Sequence, residues 1–234
     1  MNAKSTEITS PEAPAQHPAS CSRIKRTLDI VGAVVLAGVT APFLALAALA
    51  VRVRMGSPIF FFQQRTGMGG KTILVAKLRT MTNERDRNGE FLPDAARLTP
   101  LGKLLRATSL DEIPQLLAVL SGKMSLVGPR PLPTSYLPRY SEQQRRRHLV
   151  RPGITGLTQV RGRNNLDWEQ KFQLDLEYVD RWSLALDLAI LASTAGVVLS
   201  RRGIHAEGEA TMDEFLGNPI DPKDDVEAYA EAAR

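Results

Sequence analysis

A single cysteine, Cys21, stands among 234 residues, so no disulfide can close within the chain and a disulfide-stapled secreted fold is excluded. A reducing, cytoplasm-facing location is the expectation. Cys21 follows Pro-Ala-Ser in the manner of a lipoprotein cleavage site, but such a site needs an apolar stretch before it, and residues 1–20 have none. Histidine is nearly as scarce, with His17, His148 and His205 in unrelated settings. Without CxxC or HExxH there is no ligand pattern for zinc, and no setting for a histidine-activated nucleophile. A Walker loop, GxxxxGK[ST], is also missing, and no internal repeat is visible.

What is present is an uneven distribution of charge. The formal net charge is +5, yet residues 203–234 hold nine Asp and Glu against Lys223 and Arg234, a net of −7, which leaves +12 on residues 1–202. Such a body seeks anionic partners: phospholipid headgroups, a phosphorylated substrate or nucleic acid. The first 22 residues, rich in Pro, Ser, Thr and Ala, read as a disordered or loosely docked leader. Residues 203–234 read as an acidic C-terminal tail with one short helix near Val226 to Ala233.

Between Asp29 and Arg52 lie 22 residues without a charge, enough by the criterion of ~20 residues to cross a bilayer as a helix. A buried core helix of that length with no polar face would be unusual, and a removable signal peptide would leave a cysteine-free chain in an oxidising compartment. Pro42 sits mid-run, where it removes a backbone hydrogen bond and clashes with the preceding turn, so a kink is expected. Each arm of about ten residues then reaches only ~15 Å, half of the ~30 Å hydrocarbon layer. Basic residues flank both ends, Arg23, Lys25 and Arg26 before and Arg52 and Arg54 after. A re-entrant hairpin bent near Pro42 puts both flanks on the cytoplasmic side, whereas a straight span does not; a kinked span through Pro42 stays open.

After Pro58, IFFFQQ and TILVAKLRTM read as two strands around a Gly-rich turn. Leu101, Leu104, Leu105, Ile113, Leu116, Leu117 and Leu120 have helical spacing, with a break near Thr108 and Ser109. Residues 141–150 form a basic helix candidate whose Arg145 to Arg147 run suits a solvated or headgroup-facing side. Residues 168–180 are amphipathic, and 184–199 are mostly apolar. The fold class expected is α+β, predominantly helical, in one domain.

The segment LRATSLDEIPQ, residues 105–115, places Asp111 and Glu112 just ahead of Pro114, so a helix starts near Asp111. Two readings are open there. Asp111 is a good N-cap, and Ser109 with Glu112 spells a capping box. A helix N-terminus also favours a carboxylate and welcomes phosphate oxygens, so alongside a cap the pair can serve chemistry on a diphosphate ester, with a carboxylate nucleophile and oxygen ligands for Mg²⁺. Downstream, SLVGPRPLP holds Arg130 in a rigid turn, and RPGITGLTQVRGRN sets Arg151, Arg161 and Arg163 among glycines, both suited to phosphate.

Taken in order, KRTLDI, the apolar helix with Pro42, SPIFFFQQRTGMGG with KLRTM, TSLDEIPQ, SGKMSLVGPRP, RPGITGLTQVRGRN and DRWSLALDLAIL resemble the bacterial sugar transferases. These are monotopic phosphoglycosyl transferases acting on undecaprenyl phosphate, and the resemblance runs from Lys25 to about Ser200. It implies a re-entrant membrane helix over 23–55, interfacial helices and a catalytic domain over 56–202 on the cytoplasmic face of the bacterial inner membrane. It further implies a two-step exchange in which Asp111 attacks the β-phosphorus of a UDP-sugar, UMP leaves, and polyprenyl phosphate collects the phosphosugar. Glu112 would then join Asp111 at Mg²⁺, with Arg106, Arg130, Arg163 and Arg151 as phosphate or uridine contacts.

Departures from the family pattern fall at Gln64, Leu78, Leu157 and Arg161, the last two in a stretch expected to touch substrate. Three alternatives stay open: a membrane-anchored metal-dependent phosphatase, a lipid phosphotransferase with another acceptor, and a non-catalytic assembly scaffold. Partners expected are a UDP-sugar, polyprenyl phosphate, the membrane and a second copy of the chain, with no nucleic acid.

Overall fold

The computed structural model describes residues 17–162, 166–200 and 214–218. Arg163 and the helix expected near Val226 lie outside them. The chain begins with a short turn of helix, α1 (Pro18–Cys21), and passes at Ser22 into α2 (Arg23–Met55), capped by the Ser22 hydroxyl accepting from Lys25 N. The last residues of the expected leader are thus packed: Ala19 is buried and His17 bonds the carbonyl of Val179.

At 33 residues α2 is ~50 Å long. It runs through Pro42 without a non-helical residue, so the expected break is not an interruption of the helix. Only 11 % of its most apolar stretch is buried, so it is not a core helix of the body it carries. Both its ends are nonetheless bound to that body. Near the N-terminus Arg26 donates to the carbonyls of Val119 (2.7 Å) and Leu120 (2.9 Å), and Asp29 accepts from Ser125 Oγ and Leu126 N, each at 2.9 Å. At the other end the Arg79 guanidinium donates to the carbonyls of Met55, Gly56 and Ser57, which closes the helix C-terminus with a cation. Between these anchors Phe43 and Leu46 stand exposed.

The hairpin forms as expected: β1 (Phe60–Thr66) pairs antiparallel with β2 (Thr72–Leu78), Phe60 opposite Leu78 and Thr66 opposite Thr72. Then come α3 (Asp94–Arg97) and α4 (Pro100–Ala107), a six-residue 3₁₀ turn Leu110–Gln115, and α5 (Leu116–Leu120). Two three-residue strands, β3 (Ser125–Val127) and β4 (Gly153–Thr155), pair parallel. The first segment was expected as a rigid turn and the second as a glycine-rich stretch suited to phosphate, neither as a strand. Their approach depends on glycine: a Cβ on Gly153 would lie 2.1 Å from Gly128 N.

Between these strands lies α6 (Glu142–Arg145), which runs into a 3₁₀ turn, Arg146–Leu149. After them follow α7 (Leu157–Arg161), α8 (Trp168–Arg181) and α9 (Leu184–Ser200). Val119, Met124, Val127, Val150, Tyr178 and Ile190 form the main core. A separate aromatic cluster of Tyr136, Tyr140, Trp168 and Phe172 takes in Phe215, so part of the expected acidic tail is docked. The described chain is mostly helical with a small antiparallel sheet, and its parallel two-strand pair and the short helices α3 and α7 are elements not foreseen.

Candidate active site

The 3₁₀ turn Leu110–Gln115 carries the Asp-Glu pair and packs over β2. Pro114 has no N–H to close an α-helical bond onto Leu110, so this stretch adopts the tighter turn and α5 starts only after it. Ahead of it Ser109 sits at φ 56°, a left-handed conformation rare for a residue with a Cβ. The Ser109 side chain makes no capping bond, so the capping box spelled by Ser109 and Glu112 does not form. In a 3₁₀ turn successive side chains diverge by ~120°, and the two carboxyls meet different surroundings while still acting on each other.

Asp111 is 7 % exposed and accepts no hydrogen bond among the described residues. Burial and the neighbouring Glu112 push its carboxyl up to about 6, against the pull of Lys77, Arg106 and Arg130. Glu112 Oε1 accepts from both Lys77 Nζ and Arg130 Nη2, each at 2.6 Å. Burial alone would raise the Glu112 carboxyl, but Arg130 and then Lys77 outweigh it and hold it well below the usual carboxylate range. The pair therefore combines one carboxylate that stays ionised with one that ionises near neutrality, and such perturbed neighbours mark functional sites.

Of the arginines expected here, Arg130 bonds Glu112 directly. Arg106 bears on Asp111 through its charge while its Nε donates to Thr80 Oγ1 at 3.1 Å. Arg151 does not join them, for it donates to the carbonyls of Gly122 and Ser20. Leu157 is buried in the main core and Arg161 pairs with Glu177 on the surface, so neither departure from the family pattern lies at the carboxyls. Leu78 is likewise a core residue, while Gln64 is exposed on β1.

Two cations were missed. Lys77 and Arg65 both belong to the hairpin face of Phe61, Gln63, Arg65, Ile73, Val75 and Lys77. The period-two alternation of the strands contains that information, but only once the register is known. Arg65 is half-buried, and burial, with Arg130 beside it, lowers its guanidinium to about 10. Among the described residues there is no cluster of three or more His, Cys, Asp and Glu. A hard cation fits only as Mg²⁺ is often held, by one or two carboxylates with waters and substrate phosphates completing the shell. The unpartnered Asp111 and the second oxygen of Glu112 meet that requirement.

A family model described as bacterial sugar transferase matches residues 20–201. An uncharacterised sugar transferase, EpsL, of Bacillus subtilis is 50 % identical over 195 residues, covering 83 % of this chain and 96 % of that protein. A UDP-glucose:undecaprenyl-phosphate glucose-1-phosphate transferase of Caulobacter vibrioides is 42 % identical over 191 residues, 75 % of this chain and 70 % of that one. An undecaprenyl-phosphate galactose phosphotransferase of Salmonella typhimurium is 38 % identical over 199 residues, 78 % of this chain but only 42 % of that protein.

Proposed function

Since the chain belongs to the bacterial sugar transferase family, we propose that it transfers a sugar 1-phosphate from a UDP-sugar to polyprenyl phosphate, the first membrane-bound step in building an exopolysaccharide or other glycoconjugate. The relatives' names supply the reaction type. The observation that carries the site is the contrast within Asp111–Glu112, in which the buried, unpartnered Asp111 is free to bond to phosphorus.

In this reading an ionised Asp111 oxygen attacks the β-phosphorus of the donor. The bond from that phosphorus to the bridging oxygen breaks, and UMP departs with the electron pair, leaving a sugar phosphate on Asp111 as an acyl phosphate. An oxygen of polyprenyl phosphate then attacks the same phosphorus, which returns Asp111 as a carboxylate and yields the polyprenyl diphosphate sugar. Lys77, Arg106 and Arg130 favour the ionised nucleophile and offset charge gathering on phosphoryl oxygens. Glu112, pinned by Lys77 and Arg130, holds those two cations at the pair. Asp111 and Glu112 would hold Mg²⁺, which supplies further neutralisation of phosphoryl charge when bound.

The acceptor's lipid tail requires a membrane at the site, and α2 is long and apolar enough to enter one. Supporting a re-entrant path with a cytoplasmic active site are the basic flanks at both ends, the attachment of both ends to one body, and the exposed apolar middle at Pro42.

The test is the full chain in detergent or nanodiscs with a panel of UDP-sugars, Mg²⁺ and undecaprenyl phosphate, with UMP monitored and the protein's intact mass recorded without acceptor. One sugar releasing UMP, with a phosphosugar mass added on wild type and absent from Asp111→Asn, is the expected outcome. No UMP with any sugar would overturn the reading, and UMP-independent phosphate release would make the chain a phosphatase.

A further inference from the structure

Among the described residues, Arg65 is a cation acting on the Asp-Glu pair to which the proposed reaction gives no task. Its Nη2 donates to Gln63 Oε1 at 2.5 Å and its Nη1 reaches the Pro131 carbonyl at 3.5 Å, the outer limit of a hydrogen bond. Among the described residues it makes no ion pair. The carboxylate whose charge acts on it, Glu112, already accepts from Lys77 and Arg130 through a single oxygen. Arg65 therefore stands half-buried beside a second arginine, and the two like charges repel.

The backbone holds this arrangement in place from both sides. Thr66 N donates to the Leu132 carbonyl at 2.8 Å and Arg65 bridges Pro133, so β1 is stitched to the proline turn that carries Arg130. The Arg130 carbonyl in turn accepts from Arg147 Nη2 at 2.7 Å, and Arg147 is locked to Asp175. Neither arginine can swing its backbone away. Support of the turn through Pro131 alone would not call for a charge, since a neutral donor would serve without repulsion. Two forced guanidiniums side by side are what an anion with several oxygens accepts from.

We propose that Arg65 and Arg130 form a two-armed cradle for one phosphate group of a substrate. The proposal rests on the transferase reading for the identity of that substrate, whose phosphate comes either from the nucleoside diphosphate donor or from the polyprenyl phosphate acceptor.

The experiment measures binding of UDP, and separately of a short-chain polyprenyl monophosphate, to the full chain in nanodiscs, comparing wild type, Arg65→Gln and Arg65→Lys across a range of salt. Loss of one charge-assisted contact predicts a Kd raised roughly 10- to 100-fold in Arg65→Gln with a shallower salt dependence, and partial recovery in Arg65→Lys. Weakening of UDP assigns the cradle to the donor, and weakening of the polyprenyl phosphate alone assigns it to the acceptor. A merely structural arginine would lower the melting temperature without flattening the salt dependence. Should Arg65→Gln fail to fold, Arg65→Lys carries the test, with weaker binding expected at an unchanged melting temperature. Wild-type affinity for both ligands in a folded variant would overturn the cradle while leaving UMP release, and so the transferase reading, untouched. Arg65-dependent binding in a protein that never releases UMP would do the reverse.

Discussion

Asp187 and Asp111 are equally buried, each 7 % exposed, yet Asp187 accepts from Lys25 Nζ at 2.7 Å, Tyr178 OH at 2.8 Å and Trp182 Nε1 at 3.1 Å, whereas Asp111 accepts from nothing described. Asp175 follows the first pattern, with Arg147 Nε and Nη2 and Thr158 Oγ1 all within 3.0 Å. Burial therefore does not distinguish the chemical carboxyl from the structural ones; the supply of donors does. A buried carboxylate with both oxygens engaged holds elements together, here the start of α2 to α8 and α9, and the Arg146–Leu149 turn to α8. One without donors, close to cations that favour its charge, retains an oxygen able to form a bond.

The largest expected effect removes that oxygen. Asp111→Asn should lower turnover at least about 1,000-fold, equal to ~4 kcal/mol of barrier, in a UMP-release assay, while the variant stays folded. Its stability sharpens the comparison, because Asp111 is raised from 3.8 to about 6. A carboxyl raised on folding contributes stability that is complete below about pH 3.8 and lost as pH rises through about 6. At pH 7.5 the asparagine should therefore be more stable than wild type, by roughly 1–3 kcal/mol in denaturant unfolding, with the advantage vanishing near pH 4. A helix cap would lose ~1 kcal/mol on the same substitution.

The opposite result is expected at the satisfied carboxylates. Asp175→Asn should cost about 3 kcal/mol or more by leaving Arg147 buried without its countercharge, and any loss of activity should track loss of folded protein or of affinity through the Arg130 carbonyl. Equal stability in this variant would break the comparison.

A third consequence concerns pH. With Glu112 held ionised by Arg130 and Lys77, the single step expected in kcat between pH 5 and 8 is that of Asp111, so activity should fall below about pH 6 as the nucleophile is protonated. Glu112→Gln should weaken this step's sharp separation and lower the apparent midpoint, since the negative neighbour that raises Asp111 is gone.

The smallest effect tests the turn itself. Because Ser109 is left-handed and caps nothing, Ser109→Gly should be neutral or stabilising by up to about 1 kcal/mol in thermal unfolding. A working N-cap would instead lose a few tenths of a kcal/mol.

Much of the local structure was legible from spacing. The hairpin, the break at Thr108 and Ser109, and the helices from Trp168 and Leu184 all follow from periodicity and punctuation that act over a few residues. Misreadings came where a distant partner decides. Arg147 sits in a basic run with the look of a solvated face, but it is 3 % exposed because Asp175, on another helix, accepts two of its bonds. The glycine of GPRP suggested a turn and that of RPGIT a phosphate approach, and they instead let β3 and β4 pair across 28 residues of chain. Phe215 lies in an acidic tail, and only the aromatic cluster around Tyr140 and Phe172 accounts for its burial.

By itself the sequence determined the uncharged run from Ile30 to Val51, the basic body, the adjacent carboxylates ahead of Pro114 and the ordered motifs of the bacterial sugar transferases, for these are properties of composition and neighbours along the chain. Which carboxyl is satisfied and which is bare, and that Lys77 and Arg65 share a face with Arg130 near them, was decided by tertiary structure alone. A hydrogen bond or an ion pair forms between groups a few ångströms apart, and residues 35 or 66 positions apart meet at that distance only when the fold brings them there.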